Sequence, residues 1–307
     1  MKNTTRTKRT IWAIIVFIVA AFAIFFFFLP GEDETETEPE DEKTQSPIEA
    51  QKPLRIYSFN IQIFGAAKMA KQEVVDLLLQ IVSGADIVAI QEVRSLTPDP
   101  VEQFMALLPP QYNYVLGPRE GRTSSKEQYW IIYDSTAVTV IGEDTYPDPQ
   151  DLFQRNPLAV YCKSAGNFDF IIIDNHVQPS DAAQEIGALV DVIEYYQDLW
   201  HDTDILVLGD FNADGAYYDE NLLAQVFPAD RYYSLISNDY DTTVASGDNT
   251  YDRFIITKSA GNYYTGNSGV IRFDEVYDFS LYSIEPKDVS DHYPIWAEFS
   301  ITANPAP

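Results

Sequence analysis

The chain has one cysteine, Cys162, in 307 residues. A single thiol cannot close an internal disulfide or build a Cys-rich zinc site. Histidine is almost as scarce: His176, His201 and His292 are the complete set. Positive charge is also short. Lys and Arg number 20 against 47 Asp and Glu, for a net charge of −27. That balance excludes a broad basic surface holding nucleic acid or anionic lipid by bulk attraction. Any phosphate handled here has to be met by local Arg and Lys or by a metal ion. G-x-S-x-G, P-loop and H-E-x-x-H motifs are missing, which leaves those serine-hydrolase, NTPase and zincin chemistries unsupported. At 46% apolar and 22% charged residues, the composition is that of a globular protein.

What is present begins with an N-terminal address. Lys2, Arg6, Lys8 and Arg9 form a basic flank over residues 1–10, and an uninterrupted apolar run follows over 11–29. As a helix that run spans about 28 Å, close to the hydrocarbon thickness of a bilayer. Its length and aromatic end, Phe25 to Phe28, favour an uncleaved signal anchor; Ala21 and Ala23 keep cleavage of a secretory signal open. Either way the positive-inside rule places the rest of the chain outside the cytoplasm. Residues 30–52 are acidic and nearly devoid of apolar side chains, as in an extended, self-repelling linker. Residues 1–51 hold five basic and nine acidic residues and the remainder 15 and 38, so most of the acidity belongs to the folded part.

Residues 53–302 alternate strand and helix patterns and contain no internal linker; 303–307 are a tail. Strands are predicted at 54–60, 85–93, 112–117, 128–133, 138–142, 158–163, 168–177, 204–210, 251–257 and 293–301. Helices are predicted at 73–82, 101–108 and 181–200, the last with Asp181 as N-cap and a stripe through Ile186, Leu189 and Ile193. The fold class is α/β, with room for two sheets and helices outside.

Polar residues gather where these strands end. Asn60 closes the first, Glu92 the second, and His176 a later one; Asp210 and Asn212 follow LVLG, Asp252 opens DRFII, and Asp291 with His292 opens the last. Ends of neighbouring strands lie on one sheet edge, so these residues can share a cleft. Carboxylates and amides suit Mg²⁺ or Mn²⁺, and imidazoles nearby suit proton transfer. His201 follows the long helix and reads as a cation at its C-terminus.

The segments SFNIQIFG, QEVR, KEQY, FQRNP, NHVQPSDA, GDFNAD, TYDR and SDHYP occur in this order between residues 58 and 294. Together they resemble the deoxyribonuclease I group of the endonuclease/exonuclease/phosphatase superfamily. The resemblance implies a four-layer α/β/β/α sandwich, a DNA substrate, a monomeric catalytic domain and divalent-metal-dependent phosphodiester hydrolysis. It makes His176 and His292 the catalytic pair, with Glu127 and Asp252 orienting them. Glu92 becomes the principal metal ligand, with Asn60, Asp210, Asn212 and Asp291 completing the metal and phosphate site. Arg94 and Arg155 match DNA-contacting arginines. Three departures stand out. Ser125 replaces a tyrosine that stacks in the minor groove. Gly215 and Asn249 replace a disulfide pair. The calcium loops at 241–247 and around Asp151 keep only some of their ligands, so structural Ca²⁺ stays open. Sibling activities share most of this core: a sphingomyelinase, an inositol-phosphate phosphatase or an abasic-site endonuclease. A membrane-tethered, non-catalytic binding protein is the alternative of a different class.

Overall fold

The segments Ile87–Ile90 and Ile205–Gly209 have no polar side chain. Strands of this kind must be covered on both faces, and in the computed structural model both lie inside a sheet with layers above and below. The structure describes residues 52–303. In chain order the elements are β1 (Leu54–Phe64), α1 (Ala66–Met69), α2 (Gln72–Val82), β2 (Ile87–Val93), α3 (Asp99–Met105), β3 (Tyr112–Leu116), β4 (Gln128–Asp134), β5 (Val138–Thr145), β6 (Leu158–Ser164), β7 (Asp169–His176), α4 (Ala182–Trp200), β8 (Ile205–Asp210), α5 (Leu223–Val226), β9 (Tyr232–Ser234), β10 (Asp252–Thr257), β11 (Tyr264–Val270), α6 (Phe273–Val276), α7 (Pro286–Val289) and β12 (Ile295–Phe299).

One sheet runs β11-β12-β1-β2-β4-β3 and the other β5-β6-β7-β8-β10-β9. Both are mixed. Their central pairs, β1/β2 and β7/β8, are parallel, and all other pairings are antiparallel. A parallel pair needs a crossover, and α2 and α4 supply the two crossovers. Ile56, Ala89, Ile131, Val160, Phe170, Ile172, Leu206 and Phe254 fill the space between the sheets. Alternate residues face outwards: Phe59, Val88 and Ile90 meet Val74, Leu77 and Ile81 of α2, while Ile171, Ile173 and Val207 meet Ile186, Leu189 and Ile193 of α4. Each fully buried Leu or Ile contributes about 1.5–3 kcal/mol. The result is two packed sheets flanked by helices, the predicted layering. Cys162 lies on β6 inside the central layer, fully buried, and burial pushes its thiol up to about 12.

Several local expectations change. β1 does not end at Asn60; it runs on to Phe64 through an irregularity between those two residues. Asp181 stands at the head of α4 but caps nothing, because a 3₁₀ turn, Pro179–Asp181, precedes the helix and its carboxylate accepts from Ser180 Oγ at 3.1 Å. His201 ends α4 in the left-handed conformation, φ 54°. His292 is not in a strand: β12 starts at Ile295, and His292 makes only an isolated bridge to Thr243. β9 and β11 have no counterpart in the predicted strands. The segment YTGNSGV of β11 lacks the apolar alternation that marks a strand, and pairing with β12 holds it in place. No helix among the described residues is long and apolar enough to cross a membrane; the expected span over 11–29 lies outside the described residues, as do most of the acidic linker and the last residues of the tail.

Gly209 in β8 has φ +138°, and a Cβ there would come within 1.9 Å of the Asn175 backbone oxygen on β7. That close approach sets the spacing of the central pair where the polar residues gather. Gly209→Ala is expected to lower the unfolding free energy by at least about 2 kcal/mol in urea titrations. An unchanged midpoint would mean that the strands are not in such close contact.

Candidate active site

The parallel pairs of the two sheets point their carboxyl ends in the same direction, and ligands favour that edge in α/β folds. Register does the local placement. Asn60 lies opposite Gln91, beside Glu92. His176 lies opposite Asp210, and Asp210 lies opposite Asp252 on the antiparallel neighbour β10. His292 arrives from the loop before β12. One edge thus collects residues from both sheets.

Two imidazole–carboxylate pairs face one another across Asp210. His176 Nδ1 sits 2.8 Å from Glu127 Oε1, and His292 Nδ1 is hydrogen-bonded to Asp252 Oδ2 at 2.8 Å. Both Nε2 atoms are 3.5 Å from Asp210 Oδ2. Asn60 Nδ2 donates to that same oxygen at 3.0 Å and to Glu92 Oε1 at 3.3 Å. Asn212 closes the turn after β8: its N–H donates to Asp210 Oδ1 at 2.9 Å and its amide to the Val177 carbonyl at 2.9 Å.

The backbone is bent to make this possible. Gln62, Ile63, Glu92 and Asn212 have φ of 45°, 54°, 63° and 46°, conformations that non-glycine residues hold only when their surroundings enforce them. Here the Ile63 N–H donates to Glu92 Oε2 at 3.0 Å and the Gln62 N–H to Asn60 Oδ1 at 3.0 Å. Lys68 was not among the expected site residues; its buried ammonium donates to the Ile61 and Val289 carbonyls. Ser290 Oγ donates to the Asn60 carbonyl at 2.6 Å and accepts the His292 N–H at 3.1 Å. Tyr129 Oη accepts the His176 N–H at 2.9 Å. Tyr129 and Ser290 lie inside the segments KEQY and SDHYP, but nothing in the sequence shows that they hold the backbone of a histidine or of Asn60.

Charge is tightly balanced. Burial opposes the His292 imidazolium, but Asp252, Asp210 and Asp291 outweigh it and raise the group to about 10. Burial likewise opposes the His176 cation; Glu127 raises it, Arg155 works against it, and the net direction is up. Lys68 is lowered to about 8 by burial, against the pull of Asp291 and Glu92.

The arginines take a position the sequence did not anticipate. Arg155 is buried, its Nε 2.5 Å from Glu127 Oε1 and donating to the His176 carbonyl at 3.0 Å. Arg94 is more open; its Nε lies 3.3 Å from Glu127 Oε2, its Nη2 3.5 Å from Glu92 Oε2, and its Nη1 donates to Ser125 Oγ at 3.1 Å. Both therefore brace the carboxylate behind His176.

The donor set fits a divalent cation. Glu92, Glu127 and His176 offer atoms within 4.8 Å of one another, as do Asp210, Asp252 and His292. Glu127 and Asp252 are engaged by the imidazoles, whereas Asp291 Oδ1 is buried without a hydrogen-bond partner. Glu92 and Asp210, one in each group, are carboxylates that could hold a divalent cation.

A family model described as the endonuclease/exonuclease/phosphatase family matches residues 57–292. The chain belongs to that family. Endonucleases, exonucleases and phosphatases all cleave phosphate esters, and this member is a hydrolase of that kind. Within the family it is deoxyribonuclease I-like. Deoxyribonuclease-1-like 2 of Mus musculus is 33% identical over 260 residues, covering 80% of this chain and 91% of the relative. Deoxyribonuclease-1 of Gallus gallus is 34% identical over 264 residues, covering 79% and 90%. The fold is shared more widely. TDP2 of D. rerio, complexed with single-strand DNA product, matches with a TM-score of 0.60 at 16% identity, covering 81% of this chain and 99% of that one.

The departures from the deoxyribonuclease I pattern have visible settings. A Cβ on Gly215 would lie 3.0 Å from Asn249 Oδ1, so the two positions are neighbours. In the 241–247 loop, Asp241 Oδ1 accepts the Thr243 N–H and hydroxyl, both at 3.0 Å, and Asp241 Oδ2 lies 3.5 Å from Arg272 Nη1. In the other loop, Asp148 accepts the Leu152 and Phe153 N–H groups, both at 2.9 Å.

Glu127 yields a pH prediction. Burial alone would raise its carboxyl, but His176, Arg155 and Arg94 outweigh burial and hold it down from 4.5 to about 2. The folded state binds this proton less readily than the unfolded chain. Its stabilisation is therefore complete above pH 4.5 and is lost as pH falls towards 2. Glu127→Gln should cost about 3–5 kcal/mol at neutral pH, by leaving Arg155 buried without its counter-ion. It should also flatten the acid limb of the stability curve. Acid limbs of equal slope in variant and wild type would place the titrating charge elsewhere.

Proposed function

We propose that the chain is a divalent-metal-dependent endodeoxyribonuclease that hydrolyses phosphodiester bonds of DNA. The observation that carries this is the pair of buried histidines, each backed by its own carboxylate, converging on Asp210 beside Glu92. The names of the curated relatives, deoxyribonucleases, support DNA as the substrate.

The residues divide the work by charge. His292, raised to about 10, enters the reaction protonated and donates to the oxygen that departs from phosphorus. His176, held at Nδ1 by Glu127 and with Nε2 turned towards Asp210, takes the proton of the attacking water. One P–O bond forms, one breaks, and the proton count balances. Glu127 and Asp252 fix the Nδ1 side of each ring, leaving both Nε2 atoms for the substrate. Glu92 and Asn60 would hold a divalent cation, which would supply positive charge against the transition state at phosphorus. Asp291 and Asn212 border that site, and Arg94 is the cation best placed to meet a substrate phosphate.

The N-terminal residues complete the reading. From their composition alone, residues 1–10 and 11–29 would act as a membrane signal anchor that delivers residues 53–302 outside the cytoplasm. Cleavage after the span would release the same domain.

His176→Ala and His292→Ala are each expected to slow plasmid cleavage by at least about 10²-fold and to lower the thermal midpoint, because Asp210 and the carboxylate behind each ring lose a partner; both variants are assayed below that midpoint. Full activity in either variant would defeat the assignment. Assays on sphingomyelin and inositol phosphates in parallel separate the sibling activities; turnover of those substrates without DNA cleavage would replace the nuclease reading.

EDTA should abolish cleavage, and Glu92→Gln should weaken the Mg²⁺ dependence, shifting half-activation to higher metal concentration. Cleavage indifferent to EDTA would remove the oxygen-ligand site from the mechanism.

A further inference from the structure

Two large apolar side chains stand in solvent beside the cleft. Ile63 is 55% exposed and Leu96 84% exposed. Neither is a frayed end. Ile63 has φ +54°, a conformation in which a β-branched residue is strained, and its N–H is held by Glu92. The loop that carries Leu96 is tied on both sides: Ser95 Oγ donates to the Thr97 carbonyl at 2.6 Å, and Arg119 donates to the Ser95 carbonyl. The two segments are joined directly, since the Arg94 N–H donates to the Phe64 carbonyl at 2.8 Å. Ile63 and Leu96 thus flank the join that carries Arg94, next to Glu92. A polar residue would satisfy either position as far as the fold is concerned.

We propose that Ile63 and Leu96 are substrate-specificity residues that bear on the sugar and base faces of the nucleotides flanking the scissile phosphate. The proposal rests on the nuclease reading and deepens it. Ser125 has no ring with which to stack, and its hydroxyl is already engaged by Arg94. The positive charge of Arg94 is shared with Glu127 and Glu92, which leaves little for phosphates in so acidic a protein. Apolar contact with nucleotide faces needs no counter-charge, and Ile and Leu serve as such contacts in minor-groove recognition.

The test is binding of the full chain to a short fluorescent duplex, with Ca²⁺ in place of Mg²⁺ to slow cleavage, over a range of salt. Ile63→Asn and Leu96→Asn should each weaken binding at least about fivefold, the lower end of the worth of a base-face contact. The slope of log affinity against log salt should stay at its wild-type value, because no phosphate contact is lost; Arg94→Ala should instead reduce the slope by about 0.9. Leu96→Met should keep wild-type affinity. Asn tolerates positive φ better than Ile, so the thermal midpoint of Ile63→Asn should equal or exceed that of wild type, which separates lost contact from lost fold. Duplex binding by wild type with unaltered affinity in both Asn variants overturns this inference alone, as does a reduced salt slope in them. If wild type ignores DNA but binds sphingomyelin vesicles, and Leu96→Asn weakens that binding, the apolar pair faces lipid and the nuclease reading fails with it.

Discussion

A carboxylate enclosed by two imidazoles and an amide governs how this protein is put together. Asp210 is almost wholly buried, and an isolated buried carboxylate is too costly to keep ionised. It is tolerated because His176, His292 and Asn60 converge on it. Those three residues come from β7, from the loop before β12 and from β1, so both sheets have to present the correct edge at the correct height. Burial raises the Asp210 carboxyl while the two imidazoles and its hydrogen bonds lower it, and the net direction is down. The charges of the site and the alignment of the sandwich depend on each other.

The two crossovers explain how the alignment arises. Each sheet has one parallel pair, each pair is closed by one long helix, and the carboxyl ends of both pairs lie on the catalytic edge. The central apolar layer sets the separation of the sheets, and Gly209 lets β8 come close to β7 just before Asp210. Beneath the site, Gln91 of β2 donates to Asp174 of β7 at 2.6 Å, a polar link through the apolar layer. Burial raises the Asp174 carboxyl well above its ordinary range, which suits a neutral acid in that position.

Much of this was legible in the residues, for physical reasons that also mark the limits. Period-2 and period-3.6 patterns located the central strands and α2 and α4, because those elements bury a continuous face. They did not reveal β9 and β11, which are edge strands with few apolar residues, held by their neighbours. Polar residues at the ends of apolar runs marked Glu92, His176 and Asp210 as neighbours. The same logic put Asn60 and His292 at strand termini. Neither lies at one: a bulge carries Asn60, and a loop carries His292. Lys68, Tyr129 and Ser290 stayed hidden because their partners are backbone atoms, and the side-chain identities of a sequence do not record these. The setting of Arg155 was equally invisible, since whether an arginine faces substrate or a buried carboxylate depends on distances only the fold supplies.

The sealed position of Cys162 has a consequence for maturation. The chain's only thiol lies between the two sheets, and the neighbouring positions Gly215 and Asn249 carry no sulfur. No covalent cross-link waits to be formed or shuffled after synthesis. Reductants have no intramolecular disulfide to break, and the Cys162 thiol is shielded from oxidants by both sheets.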